Sequence, residues 1–195
     1  LEGIVNFEIA VTRLETRCHS MLQSGVNADG DRYFASSDIA AAEHFLDPKG
    51  LPGPCMLRMR AGETSFDPEW SRTITDDIET GIWTGVTQGA NGKVYVQATD
   101  DDSDAIAAAA AEGSYEVTIA QDWSWYTLDD GDATPAPAET GLKTPPVFAP
   151  IPVDGNDYVA VWDETNTTLV NLTNSKKPTP GLVVPGFVYN VVRIR

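Results

Sequence analysis

Chemistry in this chain would have to come from three places: an aspartate run, two histidines with reactive neighbours, and a pair of tryptophans two residues apart. The run is Asp100-Asp101-Asp102-Ser103-Asp104. Its alternate carboxylates, Asp100, Asp102 and Asp104, match the opening of a calcium loop. The glycine expected at loop position six is Ala105, however, and the glutamate expected at position twelve is Ala111. A second stretch, Asn27-Ala28-Asp29-Gly30-Asp31, has Arg32 at the glycine position, with Asp38 at position twelve. Neither is an EF-hand. Both are equally well explained as a turn or a helix start, and a divalent cation at Asp100, Asp102 and Asp104 is the metal reading left open.

Only two histidines are present, which limits the general bases that titrate near neutral pH. His19 follows Cys18, but adjacent positions on a helix point about 100° apart, so a Cys–His nucleophilic pair is not expected there. His44 lies beside Glu43 on a short helix, where a packing or surface role suffices. No G-x-S-x-G elbow, H-E-x-x-H helix or Walker phosphate loop occurs. A glycosidase-type carboxylate pair is defined by its separation across a cleft, which abundance of Asp does not supply. The chain is therefore expected to have no catalytic residues and no cofactor.

Trp123 and Trp125 share a parity with Tyr115 and would face one side of a strand. Such a strip either stacks on sugar rings or fills a core or subunit interface, where Trp and Tyr are enriched. Together with Trp162, Phe187 and Tyr189, these two rings are the expected contact residues. Asn166-Thr167-Thr168 and Asn171-Leu172-Thr173 match the N-glycosylation pattern but read as strand and turn residues.

Composition narrows the classes further. An apolar fraction of 42% with 22% charged residues supports a packed core rather than global disorder. The formal net charge of −16 argues against nucleic acid and anionic membrane surfaces, both of which call for Lys and Arg. Eleven carboxylates and no basic residue lie between Lys93 and Lys143, either a solvated face or a docking face for a basic partner. Cys18 and Cys55 lack metal spacing and are too few for a disulfide framework. They read as two small buried residues suited to a reducing cytoplasm. Leu1-Glu2-Gly3-Ile4-Val5 shows no signal-peptide pattern, and with Leu at position 1 N-terminal processing stays open.

The elements that must position these residues follow from periodicity. Phe7, Val11, Leu14, Cys18, Met21 and Leu22 mark one apolar helix face, capped by Asn6 and ended by Ser24-Gly25. Arg32 to Ala35 is a short strand, and Ser36 or Ser37 caps a helix from Asp38 to Leu46, stopped by Asp47-Pro48. Cys55 to Arg60 alternates as a half-buried strand. Gly81 to Thr87 and Lys93 to Ala98 form a hairpin around Asn91-Gly92. Asp102-Ser103 opens an Ala-rich helix ending near Gly113, and Tyr115 to Tyr126 alternates as a long strand. Asp129 to Pro146 is Pro-rich and extended. Tyr158 to Trp162 and Thr168 to Leu172 are strands around a turn at Glu164 to Asn166, and Phe187 to Arg195 is a closing strand.

The order helix, strand, helix, strands over roughly residues 6 to 126 is similar to small α+β proteins of tail-terminator and neck rings in tailed bacteriophages. The first helix through Leu22, the stretch Leu51-Pro52-Gly53-Pro54-Cys55-Met56-Leu57, and the hairpin before the Ala-rich helix carry that likeness. Val183-Val184-Pro185-Gly186-Phe187-Val188-Tyr189-Asn190-Val191-Val192-Arg193-Ile194-Arg195 resembles the closing strand of phage spike-base or decoration proteins. The resemblance implies a virion structural protein made in the host cytoplasm, partnered by other virion proteins and by copies of itself. The fold expected is α+β: a mixed, mostly antiparallel sheet with two or three helices (1–130), a Pro-rich linker or arm (131–146), and a small β-rich C-terminal module (147–195). A carbohydrate- or calcium-binding β module is the alternative.

Overall fold

The computed structural model describes residues 18, 21–51, 53–73, 82–99, 104–120, 123–128, 137–144, 149–173 and 177–188. Within them the fold is α+β and mostly β, three antiparallel four-stranded sheets with three helices. The first sheet is β1 (Met21–Val26), β2 (Arg32–Ser36), β3 (Cys55–Met59) and β4 (Ser71–Thr73), with helix α1 (Asp38–Leu46) between β2 and β3. The second is β5 (Ile82–Gln88), β6 (Val94–Thr99), β7 (Trp123–Leu128) and β8 (Pro137–Thr144), with α2 (Asp104–Glu112) and α3 (Ser114–Ile119) between β6 and β7. The third is β9 (Ile151–Val153), β10 (Asn156–Trp162), β11 (Asn166–Asn171) and β12 (Thr179–Pro185). In each sheet, strands adjacent in sequence are hydrogen-bonded neighbours, so every sheet is a meander.

Local chemistry accounts for several elements. Ser37 caps α1, its Oγ accepting from the Ala40 N–H at 3.2 Å, and Ala40, Ala41 and Ala42 are buried behind it. The β5–β6 connection needs left-handed backbone at Asn91 (φ 57°) and Gly92 (φ 74°), the residues that tolerate it best. Asn27 closes the β1–β2 turn by accepting the Asp31 N–H at 2.8 Å, and Asp31 Oδ1 accepts the Ala61 N–H at 2.9 Å. Those bonds employ the polar atoms of the second calcium-like stretch in holding two turns together.

The middle sheet is covered on both sides. Residues opposite one another in antiparallel strands share a face. Val94, Val96, Ala98 and Leu128 therefore point one way and pack with Tyr33, Ala35, Met56 and Trp70 of the first sheet and its loops. Tyr95, Trp123 and Trp125 point the other way, and two different covers divide that face. Trp123 is enclosed by Ala41, Ala42, Ile106 and Val117 of the three helices, and its indole N–H donates to Val117 O at 3.0 Å. Trp125 packs with Tyr95, Val159 and Leu172, which ties the third sheet to the body. Its indole N–H donates to Thr144 Oγ1 at 2.7 Å, and Gln97 Nε2 donates to the same oxygen at 3.3 Å.

Five expectations change. Met21 and Leu22, assigned to the end of the first helix, lie in β1, where Met21 pairs with Ser36; residues 6–17 and 19–20 of that expected helix fall outside the described residues. Tyr115 to Ile119 is helix α3 rather than strand, because Val117 is drawn into the helical core while Tyr115 stays exposed; the strand starts only at Trp123. Cys18 and Cys55 are joined in a disulfide, with Cα atoms 5.5 Å apart. The meander causes this: Met21 and Cys55 both lie at the Ser36 end of β2, and Ser36 Oγ accepts the Cys55 N–H at 3.2 Å. Finally, the last described strand is Thr179–Pro185; Phe187 and Val188 follow it outside the ladder, and 189–195 lie outside the described residues. Part of the Pro-rich 131–146 stretch, Pro137–Thr144, is strand β8, hydrogen-bonded to β7.

Candidate interaction surface

The third sheet is held in place by a buried carboxylate. Asp157, on β10, is fully buried and faces the β5–β6 hairpin. Its Oδ1 accepts the Ala90 N–H at 2.5 Å and its Oδ2 accepts the Tyr95 hydroxyl at 2.7 Å. Burial, with that hydrogen bond second, pushes the Tyr95 hydroxyl far above its ordinary range, so it stays a neutral donor. Around this pair, Asn91 Nδ2 donates to Gly155 O at 3.1 Å and Lys93 Nζ donates to Thr173 O. A Cβ at Gly89 would stand 2.4 Å from the Tyr95 ring and 2.7 Å from Asp157 Oδ2, so only glycine lets the hairpin approach this closely.

With one face turned to the body, the sheet turns Tyr158, Trp162 and Thr167 the other way. Trp162 is 38% exposed and Phe187 is 51% exposed, and their rings meet edge to face at 5.6 Å and 88°. Thr167 fixes Phe187 there: its buried Oγ1 donates to Gly186 O at 2.7 Å and accepts the Val188 N–H at 3.0 Å. Gly186 adopts φ 84°, a left-handed conformation that turns the chain after Pro185 back over Thr167. Among the described strands β12 ends the sheet and exposes Leu182 (63%) and Val183 (55%), and the pairing of Val183 with Thr168 puts Val183 on the face opposite Trp162.

The turn at the foot of this surface is acidic and rigid. Asp163 Oδ1 accepts the Asn166 N–H at 2.8 Å, the Thr165 hydroxyl at 2.9 Å and the Thr165 N–H at 3.1 Å. The Asn166 N–H first, then the Thr165 hydroxyl, hold its carboxyl below the usual range. Glu164 takes φ 76° at the apex.

The expected site residues are thus separated. Trp162 and Phe187 come together at the surface. Trp123 and Trp125 lie wholly inside the chain, in two different clusters, so neither ring is offered to a ligand. Tyr189, Asp100 and Asp102 lie outside the described residues, and Asp104 is the exposed first residue of α2. His44, the one described histidine, shares a 2.8 Å hydrogen bond between Nδ1 and Leu51 O and so fastens the loop after α1. Leu182 was not singled out in the sequence, while Val183 was read only as part of a closing strand and Thr167 only as part of a glycosylation pattern. The Val-Val dipeptide between Pro180 and Pro185 was the available signal, since prolines in a strand mark an edge. Compared with known proteins, the chain matches no family model and no curated sequence.

Proposed function

We propose that this chain is a non-enzymatic structural protein of a tailed-phage particle, and that its C-terminal sheet makes the subunit contacts. The carrying observation is that one sheet exposes both the Trp162–Phe187 ring pair and, on its terminal strand, Leu182 and Val183. Exposed apolar side chains gathered at a sheet edge are what a neighbouring subunit covers. The virion part of the reading rests on the order of elements. Of the three stretches behind that likeness, the strand entered from the Gly/Pro stretch is β3 and the hairpin before the Ala-rich helix is β5–β6 followed by α2, while Met21 and Leu22 at the end of the first lie in strand β1. In this reading the partners are other virion proteins and further copies of the chain, and the acidic body stays solvated or meets basic neighbours.

A sugar-stacking role for Trp123 and Trp125 loses its support, because both rings are enclosed by the chain's own residues. The assembly reading is tested by light scattering across a concentration series, on the natural chain and on Trp162→Ala/Phe187→Ala. A mass that rises to a discrete oligomer in the first and stays monomeric in the second supports it. A monomer in both, or an oligomer indifferent to the two substitutions, overturns it.

A further inference from the structure

We infer that two copies of this chain pair β12 against β12, antiparallel about a two-fold axis, extending the third sheet across the subunit boundary. This rests on the assembly reading above and names its partner. The first observation is chemical. The residues from Thr165 to Arg195 include Lys176, Lys177, Arg193 and Arg195 and no carboxylate side chain. The preceding 164 residues hold nine basic and 29 acidic ones, so two copies meeting elsewhere bring strongly like charges together. β12 itself, Thr-Pro-Gly-Leu-Val-Val-Pro, is uncharged.

The second observation is geometric. Among the described strands β12 ends the third sheet with seven residues, against three in β9 at that sheet's other end; β1, β5 and β8 are terminal strands of six to eight residues too, but they belong to the acidic part of the chain. Pro180 and Pro185 lack N–H donors and bracket Gly181–Val184, which confines an edge-to-edge ladder to this window and blocks open-ended addition. An axis through Leu182 sets Leu182 of one copy opposite Leu182 of the other, and Val183 of each opposite Gly181 of the other. Both apolar side chains are exposed in the single chain.

The third observation is charge complementarity within that register. Antiparallel pairing brings the Lys177 end of one copy's β12 to the Gly186 end of the other's. The Gly186 N–H donates to Thr165 O at 2.8 Å, so this end of β12 lies beside the turn bearing Asp163 and Glu164. Lys177, Asp163 and Glu164 are all exposed. An ammonium of one copy thus meets the acidic turn of the other, and symmetry makes that contact twice.

Sedimentation velocity across a concentration series tests this with the full chain and four variants: Leu182→Lys, Lys177→Glu, Glu164→Lys, and the double variant Lys177→Glu/Glu164→Lys. Leu182→Lys places a charge on an edge whose side chain is already in solvent, so the fold is kept while pairing is lost. Each single charge reversal weakens dimerisation by about tenfold, as two exposed ion pairs turned repulsive predict, and the double variant recovers most of that loss. A discrete oligomer unchanged by Leu182→Lys overturns β12 pairing while leaving the assembly reading in place. Charge reversals without effect, or a double variant weaker than either single one, overturn the proposed register. A monomer at every concentration overturns both the pairing and self-assembly.

Discussion

Replacing Asp157 should loosen the third sheet more than any exposed substitution could. Asp157→Ala leaves the Ala90 N–H and the Tyr95 hydroxyl, two donors at 2.5 and 2.7 Å from the lost carboxylate, without their acceptor in a buried site. Each such orphaned group costs about 1–3 kcal/mol, so a loss of about 3–5 kcal/mol is expected. Tyr95→Phe removes the hydroxyl alone. It keeps the ring against Trp125 at 5.9 Å, leaves Asp157 its bond to Ala90, and should cost about 1–2 kcal/mol. Combined, the two changes should fall short of their sum by about 1.5–3 kcal/mol, the coupling expected of a hydrogen bond to a carboxylate. Urea unfolding of the four proteins, followed by Trp fluorescence, gives these differences. Additive losses, or a loss below about 0.5 kcal/mol for Asp157→Ala, would refute the argument that this carboxylate fastens the sheet to the hairpin.

Two further outcomes follow from the first sheet. The Arg58 guanidinium, 2.7 Å away, holds the Asp67 carboxyl down at about 2, with Arg60 a second partner at 2.9 Å. A depressed pKa means stability fully present above the unfolded value near 3.8 and lost as pH falls through about 2. Because Arg60 is 60% exposed and solvent screens the cluster, the loss should be about 1–2 kcal/mol, and Asp67→Asn should lack that step in acid unfolding curves. The Cys18–Cys55 bridge spans a sequence separation of 37, for which chain entropy predicts about 4 kcal/mol. Calorimetry with and without a reductant should therefore show a clear drop in Tm, matched by Cys18→Ser/Cys55→Ser; equal Tm values would mean that the bridge constrains little.

Much of the architecture was legible because local and tertiary demands agree. Ser37 before Asp38–Leu46, Asn91-Gly92 between two alternating runs, and the turn between β10 and β11 each carry their own backbone instruction. The misread elements are those where packing overrides the local signal. Tyr115-Glu116-Val117-Thr118-Ile119 alternates like a strand and is rich in β-branched residues. It folds as a helix because Gly113, at φ 132°, turns the chain and Val117 then completes the pocket around Trp123. Trp123 and Trp125 share one strand face as their spacing says, but spacing does not reveal that helices cover one and another sheet the other. The disulfide depends on a proximity created by strand pairing. No spacing between two cysteines encodes that.

The surface residues divided along the same line. Trp162 and Phe187 were legible as contact candidates from residue type alone, whereas Thr167, which positions Phe187, looked like part of a glycosylation pattern. Its role depends on the chain turning back at Gly186, which brings the 186–188 backbone onto its hydroxyl.

Hydrogen exchange at low and high protein concentration tests the central claim most directly, because it reads the amides of the proposed contact surface. Subunit contact through the C-terminal sheet predicts that the Gly181–Val184 amides exchange markedly more slowly at high concentration, while amides of α2, remote from that edge, are unchanged. Protection at β12 that does not vary with concentration, or that appears instead on the acidic body, would contradict it.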